Sequence, residues 1–559
     1  MKTFVEILRA RAQEEPHACA FAFLTSDGAE TRVTYAELEA RARALAARLQ
    51  DRGAAGERVL IVLQPGLNYV IGVFGCLFAG STAVPCALSN KMERARQLPT
   101  IAIDSGAKFA IAGRTFNEHP DFAHLEWIAV DSTNVEEGTL WREPALNADQ
   151  SALLQYTSGT TSSPRGVMVS HANLLANARS IAEGFGHHPK DLWGVTWLPP
   201  YHDMGLMGGI LQPVYVGAPC AVISPLDFVR RPLIWLEAVS RYRVRISGGP
   251  NFAYELCART ITSAESSNCR LDSWELAYVG AEPVRVDTLD LFASKFAPLG
   301  FKRESFFPCY GLAEATLYVS GGRAGVRHLS ATGLREHRVV DKSDNERLNQ
   351  DADARAIVGC GRPASSLTVS IVNPETERPC EIGSIGEIWV SGPTVASGYW
   401  NKPEDTRDTF HARLAEGDDR RFLRTGDLGF VRDGELFVTG RWKDLIIVRG
   451  RNHYPQDIEN TVVGSSPAIR PGTCAAFSID SDTDEKLVLV LEMPRPRPER
   501  LDVLAGDIRQ AVVDAHELQV STIVLVRPGA IPRTSSGKAR RLECRTQYMA
   551  GALERLTAV

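Results

Sequence analysis

The sequence predicts an α/β fold with largely parallel sheets, divided into two domains, and three observations lead there. Amphipathic helical stripes alternate with short apolar runs along most of the chain. The run "RVLIVL" carries no polar residue after its first, as a strand covered on both faces requires. A chain of 559 residues also exceeds what one hydrophobic core supports.

The elements can be justified in order. Thr34 and Glu37 in "TYAE" make a capping box, and Leu38, Ala42, Leu45 and Leu49 line one face of the helix it opens, which Gly53 ends. "RVLIVL" follows as a strand. "NYVIGVFGCLFAGSTAVPC" reads as a buried helix and then a strand, because its Asn, Ser, Thr and Gly residues and Pro85 do not suit a membrane span of roughly 20 apolar residues. The pattern recurs in "SHANLLANARSIAEGF" with "WGVTWL", and again in "DLIIV". At "GRWKDL" a turn-rich stretch gives way to a new α/β pattern, in which "LVLVLE" and "TIVLV" flank a helix. The expected division is a domain at 1–440, a hinge at 441–445 and a second domain at 446–559.

Composition excludes some classes. With 44% hydrophobic and 23% charged residues and a formal net charge of -5, the chain has no nucleic-acid-binding character. Its N-terminus alternates apolar and charged residues within single turns and lacks the apolar core of a signal peptide. Eleven cysteines without a C-x-x-C pair fit neither a disulfide framework nor a zinc site, so a soluble, cytoplasmic protein without membrane insertion is expected.

"YTSGTTSSPRGVMVSH", after the apolar "SALLQ", is the densest polar run at a predicted strand end. A loop of small hydroxyl residues and glycine presents many N–H and O–H donors, and Arg165 adds charge, a combination suited to phosphate. It is not a Walker loop, because G-x-x-x-x-G-K-[ST] does not fit "GTTSSPRG".

"YTSGTTSSPRGV", "FFPCYGLAEAT", "RTGDLG", "GRWKD" and "PRTSSGK" stand in the order and approximate spacing of the core motifs of the adenylate-forming superfamily, which the chain resembles over nearly its whole length. The resemblance implies a large N-terminal domain of stacked, mostly parallel sheets with a barrel-like subdomain, and a small mobile α+β C-terminal domain. It implies attack of a carboxylate on the α-phosphorus of ATP with release of pyrophosphate, and ATP and Mg²⁺ as cofactors. Thr157, Ser158, Gly159, Thr160, Thr161 and Arg165 would hold the phosphates, and Glu314 with Thr161 the metal. Tyr310 and Gly311 on one side and Gly280, Ala281, Glu282 and Pro283 on the other would wall the adenine. Asp427 would take the ribose hydroxyls, with Arg441 beside it. Lys538 would be the catalytic lysine and Lys443 the pivot of the small domain. Ser162 and Arg165 stand where the family pattern more commonly has Gly and Lys.

Within the superfamily the chain is most similar to the fatty acyl-AMP ligases, through "WLPPYHDMGLMGGIL", "GGPNFAYELC", "VGAEPV" and "YGLAEATLYVS". That implies an apolar acid, bound by Tyr201, His202, Met204, Gly205, Asn251, Phe252 and Cys309, with His202 closing over the carboxylate and Gly205, Gly208 and Gly209 leaving room. It also implies an acyl carrier protein as thiol acceptor, with free CoA as the alternative and a catalytically silent nucleotide-binding regulator as a third reading. The segment from Leu334 to Pro363 occupies the place of an insertion in those ligases. Leu334, Val339, Val340 and Leu348 would dock on an apolar surface while "DKSDNER" stays in water.

Overall fold

The computed structural model describes residues 2–88, 97–113, 122, 124–157, 164–186, 193–342, 353–416, 419–448, 451–480, 485–493, 501–534 and 538–558. Thr34 caps the helix Tyr35–Asp51 through the predicted reciprocal bonds with Glu37. The apolar helix Leu67–Ala79 lies buried against it; a Cβ on Gly75 would come within 2.5 Å of Leu45 Cδ2, so glycine sets how closely the two helices approach.

Two large sheets form among the described residues. One runs in the order Glu126–Ala129, Phe109–Ala112, Arg58–Ile61, Thr82–Pro85, Ser151–Thr157, Arg165–Ser170. Its strands are parallel except the last, which returns antiparallel to Ser151–Thr157 on the far side of the polar loop. The other sheet has nine strands. Its parallel centre runs from Phe306–Gly311 through Leu276–Val279, Ile246–Gly249, Gly194–Thr196 and Cys220–Ile223 to Cys19–Leu24, and its edges are antiparallel. In place of the expected barrel-like part stands a four-stranded antiparallel sheet of Thr368–Val372, Gly386–Ser391, Leu423–Arg432 and Glu435–Arg441, whose outer strands do not pair with each other among the described residues. A ribbon of Val326–Ser330 and Ala354–Val358 is joined to it by a bridge from Gly359 to Phe437.

In the C-terminal part, Glu485–Glu492 and Val520–Val526 pair in parallel across the helix Leu501–His516, between antiparallel partners Cys474–Asp480 and Arg555–Ala558. Ile446, Ile458, Leu489, Ile508 and Ile523 form a core drawn from this region. "DLIIV" departs from the parallel pattern: Ile446–Val448 pairs antiparallel with Arg451–His453, because the connection is too short for a crossover. No helix among the described residues is long and apolar enough to cross a membrane.

Candidate active site

A cleft of about 2190 Å³ is lined by both parts of the chain, including Thr157, His202, Tyr310, Glu314, Asp427 and Lys538.

Asp427 sits where Leu423–Arg432 and Glu435–Arg441 pair, directly opposite Arg441. The Tyr310 hydroxyl donates to its Oδ2 at 2.8 Å and Arg441 Nε to its Oδ1 at 2.9 Å. Each oxygen keeps an acceptor site, which suits two adjacent hydroxyls. Burial and then the Asp427 charge push the Tyr310 phenol well above its ordinary value, so it remains a donor. Asp427 likewise holds Arg441 in its charged form.

The Gly280–Pro283 wall is braced by Asn251, whose Nδ2 donates to the Pro283 carbonyl at 2.9 Å and whose Oδ1 accepts from Arg285 N at 3.1 Å. Gly280 is close to Cys309: a Cβ there would lie 2.7 Å from the Cys309 carbonyl oxygen. Ala281 adopts a left-handed φ of 70°. Gly311 is equally confined, since a Cβ would meet the Leu317 carbonyl at 1.8 Å.

Glu314 lies on the turn Ala313–Ala315, where burial raises its pKa and a bond from Tyr399 opposes the rise. The Tyr399 hydroxyl donates to Glu314 Oε1 at 2.8 Å. Arg165, expected at the phosphates, is not among the residues lining the cleft. Its guanidinium lies 5.1 Å from the Tyr399 ring centroid and pairs with Asp405 at 3.3 Å. Thr157 ends its strand at the cleft, whereas Ser158, Gly159, Thr160 and Thr161 lie outside the described residues.

His202 Nδ1 and Asp203 Oδ1 are 2.7 Å apart, and the same oxygen accepts from Met204 N at 2.7 Å. Burial pushes the Asp203 carboxyl up, but His202 opposite and these bonds bring it below its ordinary value. Lys538 reaches water in the cleft while protein surrounds it. Burial first and the Arg441 charge second lower its pKa; Glu282, Asp427 and Asp203 counter them.

Met204, Asn251, Phe252 and Cys309 line the cleft with the apolar Ile181, Phe185, Val216 and Ile246. Tyr201 and Gly205 do not. The Tyr201 carbonyl accepts from Gln155 Nε2 at 3.0 Å and its ring packs against the core. A Cβ on Gly205 would lie 2.0 Å from the Pro199 carbonyl oxygen and one on Gly209 2.8 Å from Thr196 Oγ1, so those glycines serve close packing. Gly208, on the π-helical turn Met204–Leu211, lines the cleft with nothing within 4 Å of its Cβ position.

Lys443 is central in the tight turn Trp442–Asp444. Beside it, Asp444 Oδ2 pairs at 3.2 Å with Arg541, which also grips Glu459 with two bonds of 2.7 Å. Leu334 and Val339 pack in one cluster with Leu428, Phe437, Tyr454 and Trp442, so this segment joins the antiparallel sheet, the 441–445 connection and the C-terminal part. Asn452 Nδ2 donates to the Arg335 carbonyl at 3.2 Å, and Arg335 Nη2 to the Ala515 carbonyl at 3.3 Å. Val340 is exposed instead of docked, and Leu348 lies outside the described residues. Asp341 is exposed and pairs with Arg327 and Arg432, Lys342 pairs with Asp353, and the rest of "DKSDNER" lies outside the described residues.

Parallel sheets over a deep cleft, a polar loop at a strand end and a lysine facing clustered carboxylates define a nucleotide-using α/β enzyme. The AMP-binding enzyme family matches residues 8–400, and a pattern described as Disco-interacting protein 2-like, AMP domain, matches residues 443–558. The chain belongs to the AMP-binding enzyme family. It is 43% identical to the medium-chain-fatty-acid–[acyl-carrier-protein] ligase JamA of Moorena producens, over 100% of this chain and 96% of that protein. A fatty acyl-adenylate ligase from Legionella pneumophila, solved with acyl adenylate and pyrophosphate, superposes with a TM-score of 0.77 at 38% identity, covering 100% of this chain and 98% of that one. A further structure, from work on fatty acyl-adenylate ligases of E. coli and L. pneumophila, gives a TM-score of 0.86 at 32% identity with 98% of each chain covered.

Proposed function

We propose that the protein activates a largely apolar carboxylic acid, of the fatty-acid class, with ATP and passes the acyl group to a carrier-protein phosphopantetheine thiol. The observation that carries this reading is Lys538, brought from the C-terminal part into the cleft that holds the Asp427, Tyr310 and Arg441 cluster. In the first step a carboxylate oxygen bonds to the α-phosphorus, the bond to the β-phosphate bridging oxygen breaks, and pyrophosphate leaves. In the second the thiol sulfur bonds to the acyl carbon, AMP leaves with the C–O electron pair, and the thiol proton goes to solvent.

Two anions must meet in the first step, so fixed positive charge and orientation supply much of the catalysis. Lys538 would bridge the carboxylate and α-phosphate as charge builds between them. Asp427 would hold the ribose with its remaining lone pairs, and Arg441 would keep that carboxylate in place. His202, held by Asp203, would close over the acyl carboxylate. Gly280 to Pro283 would cover the adenine opposite Tyr310. The acid's chain would run past Met204 and Gly208 toward Ile181, Phe185 and Val216.

A magnesium ion suits the assigned donor set, since one carboxylate ligand, Glu314, would leave phosphate oxygens and water to complete the shell of a hard cation. When bound it would neutralise phosphate charge. Pyrophosphate exchange across a chain-length series of fatty acids, followed by transfer to holo-carrier protein and to CoA, tests the reading. Acid-dependent exchange with transfer to the carrier is expected. Absence of exchange with every acid would refute activation, and equal transfer to CoA would replace the carrier as acceptor.

A further inference from the structure

The stretch Ala396–Trp400, "ASGYW", belongs to none of the motifs singled out in the sequence, yet it touches two parts of the site. On one side it pairs with the strand that leaves the polar loop: Ser397 N donates to the Met168 carbonyl at 3.1 Å, Met168 N to the Gly398 carbonyl at 2.9 Å, and Trp400 N to the Gly166 carbonyl at 2.8 Å. On the other it holds Glu314 twice, through Ala396 N to the Glu314 carbonyl at 2.9 Å and through the Tyr399 hydroxyl to Oε1 at 2.8 Å. The stretch is itself fixed. Tyr399 N donates to Thr406 Oγ1 at 2.9 Å, the ring packs edge-on to Phe410 with centroids 5.0 Å apart, and Gly398 adopts a φ of 143° where a Cβ would lie 2.3 Å from Thr406 Cγ2.

Arg165 completes the arrangement. Its guanidinium lies over the Tyr399 ring and pairs with Asp405, and a delocalised cation with several N–H donors serves both contacts better than the point charge of a lysine ammonium. This gives a physical reason for arginine where the family pattern more often has lysine.

We propose that Tyr399 is a positioning residue that aims the Glu314 carboxylate at the metal and, with the Arg165 guanidinium over its ring, couples that carboxylate to the strand leaving the phosphate loop. The inference rests on the reading of Glu314 as the metal carboxylate. Tyr399 touches neither nucleotide nor acid; it acts through Glu314. Losing one hydrogen bond to a carboxylate should lower the fraction of time that carboxylate is correctly aimed by about tenfold.

The experiment is calorimetric titration of ATP into the full-length protein without acid, with magnesium in excess and again in EDTA, for wild type, Tyr399→Phe, Arg165→Lys and Glu314→Gln. Tyr399→Phe should lose about tenfold of the magnesium-dependent gain in ATP affinity, keep its affinity in EDTA, and keep the wild-type melting temperature. Arg165→Lys, which retains the charge and loses the delocalised guanidinium over the ring, should show a smaller loss of the same magnesium-dependent gain. Glu314→Gln should remove most of the magnesium effect. If Glu314→Gln leaves that effect intact, the metal reading itself fails. If Glu314→Gln removes it and Tyr399→Phe does not, or Tyr399→Phe weakens ATP equally with and without magnesium, the positioning role is overturned while the metal reading stands.

Discussion

Replacing Lys538 with alanine is the most direct perturbation of the proposed chemistry. The substitution should spare the fold, because the backbone around it is held without the side chain: Lys538 N donates to Thr534 Oγ1 at 3.1 Å and Thr534 N to the Lys538 carbonyl at 2.8 Å. What is lost is one cation beside a phosphate on which charge is growing. At about 4 Å and an effective dielectric constant of about 20, such a pair is worth about 4 kcal/mol, which corresponds to about 10³ in rate. Pyrophosphate exchange should fall by about that factor, with the melting temperature unchanged. Transfer of acyl from a supplied acyl-adenylate to holo-carrier protein should fall far less, since the lysine is assigned to the first step alone. Exchange within about tenfold of wild type, or equal loss of both steps, would refute the assignment. The wild-type rate should also decline on the alkaline side below the ordinary lysine value of 10.5, because burial and Arg441 favour the neutral amine.

Lys443→Pro, which fixes φ near −65° in the turn Trp442–Asp444, should leave pyrophosphate exchange near normal and suppress thioester formation; parallel loss of both in the two assays would indicate a folding defect instead. Gly208→Val should shift the chain-length optimum of exchange toward shorter acids, at about 0.8 kcal/mol for each displaced methylene, and an unchanged optimum would place the chain elsewhere. Burial holds His453 and His516 neutral, at about 4 and about 3 against an ordinary 6.5, with Arg335 on the facing segment disfavouring the charged forms further. Folded values below the unfolded one mean that stability is greatest above pH 6.5 and falls as pH drops from 6.5 toward 4. Limited proteolysis at the 441–445 connection should therefore accelerate over that window, and His516→Gln should reduce the acceleration.

Much of the architecture was legible because its signals are local. A capping box acts across three residues, and an all-apolar run betrays a covered strand without reference to anything distant. Asp427 and Glu314 were legible through their motifs, but their supports were not. Tyr399 stands 85 residues from the carboxylate it holds, in a stretch whose pattern resembles any turn. Asp203 is adjacent to His202 and reads as an ordinary polar neighbour, yet at the start of the π-helical turn its carboxylate meets the His202 ring nitrogen at 2.7 Å. Gly205 and Gly208 are indistinguishable in sequence; only the Pro199 carbonyl behind one and open space before the other separate close packing from pocket volume. Arg165 shows the same limit, since a cation beside a phosphate loop suggests a phosphate contact and nothing in sequence reveals the Tyr399 ring and Asp405 beside it.

The cluster joining Leu334 and Val339 to Tyr454, Trp442 and Phe437 bears on who can receive the acyl group. If the C-terminal part rotates about Lys443, as proposed, Leu445 and Tyr454 would leave that cluster and its apolar surface would be wetted, at about 25 cal/mol for each Å² uncovered. A small thiol would carry too little surface to shelter what such a movement laid bare, whereas the proposed carrier-protein acceptor would have surface enough to cover it. Discrimination between acceptors would then be a matter of wetted area, decided at a seam remote from the reacting sulfur.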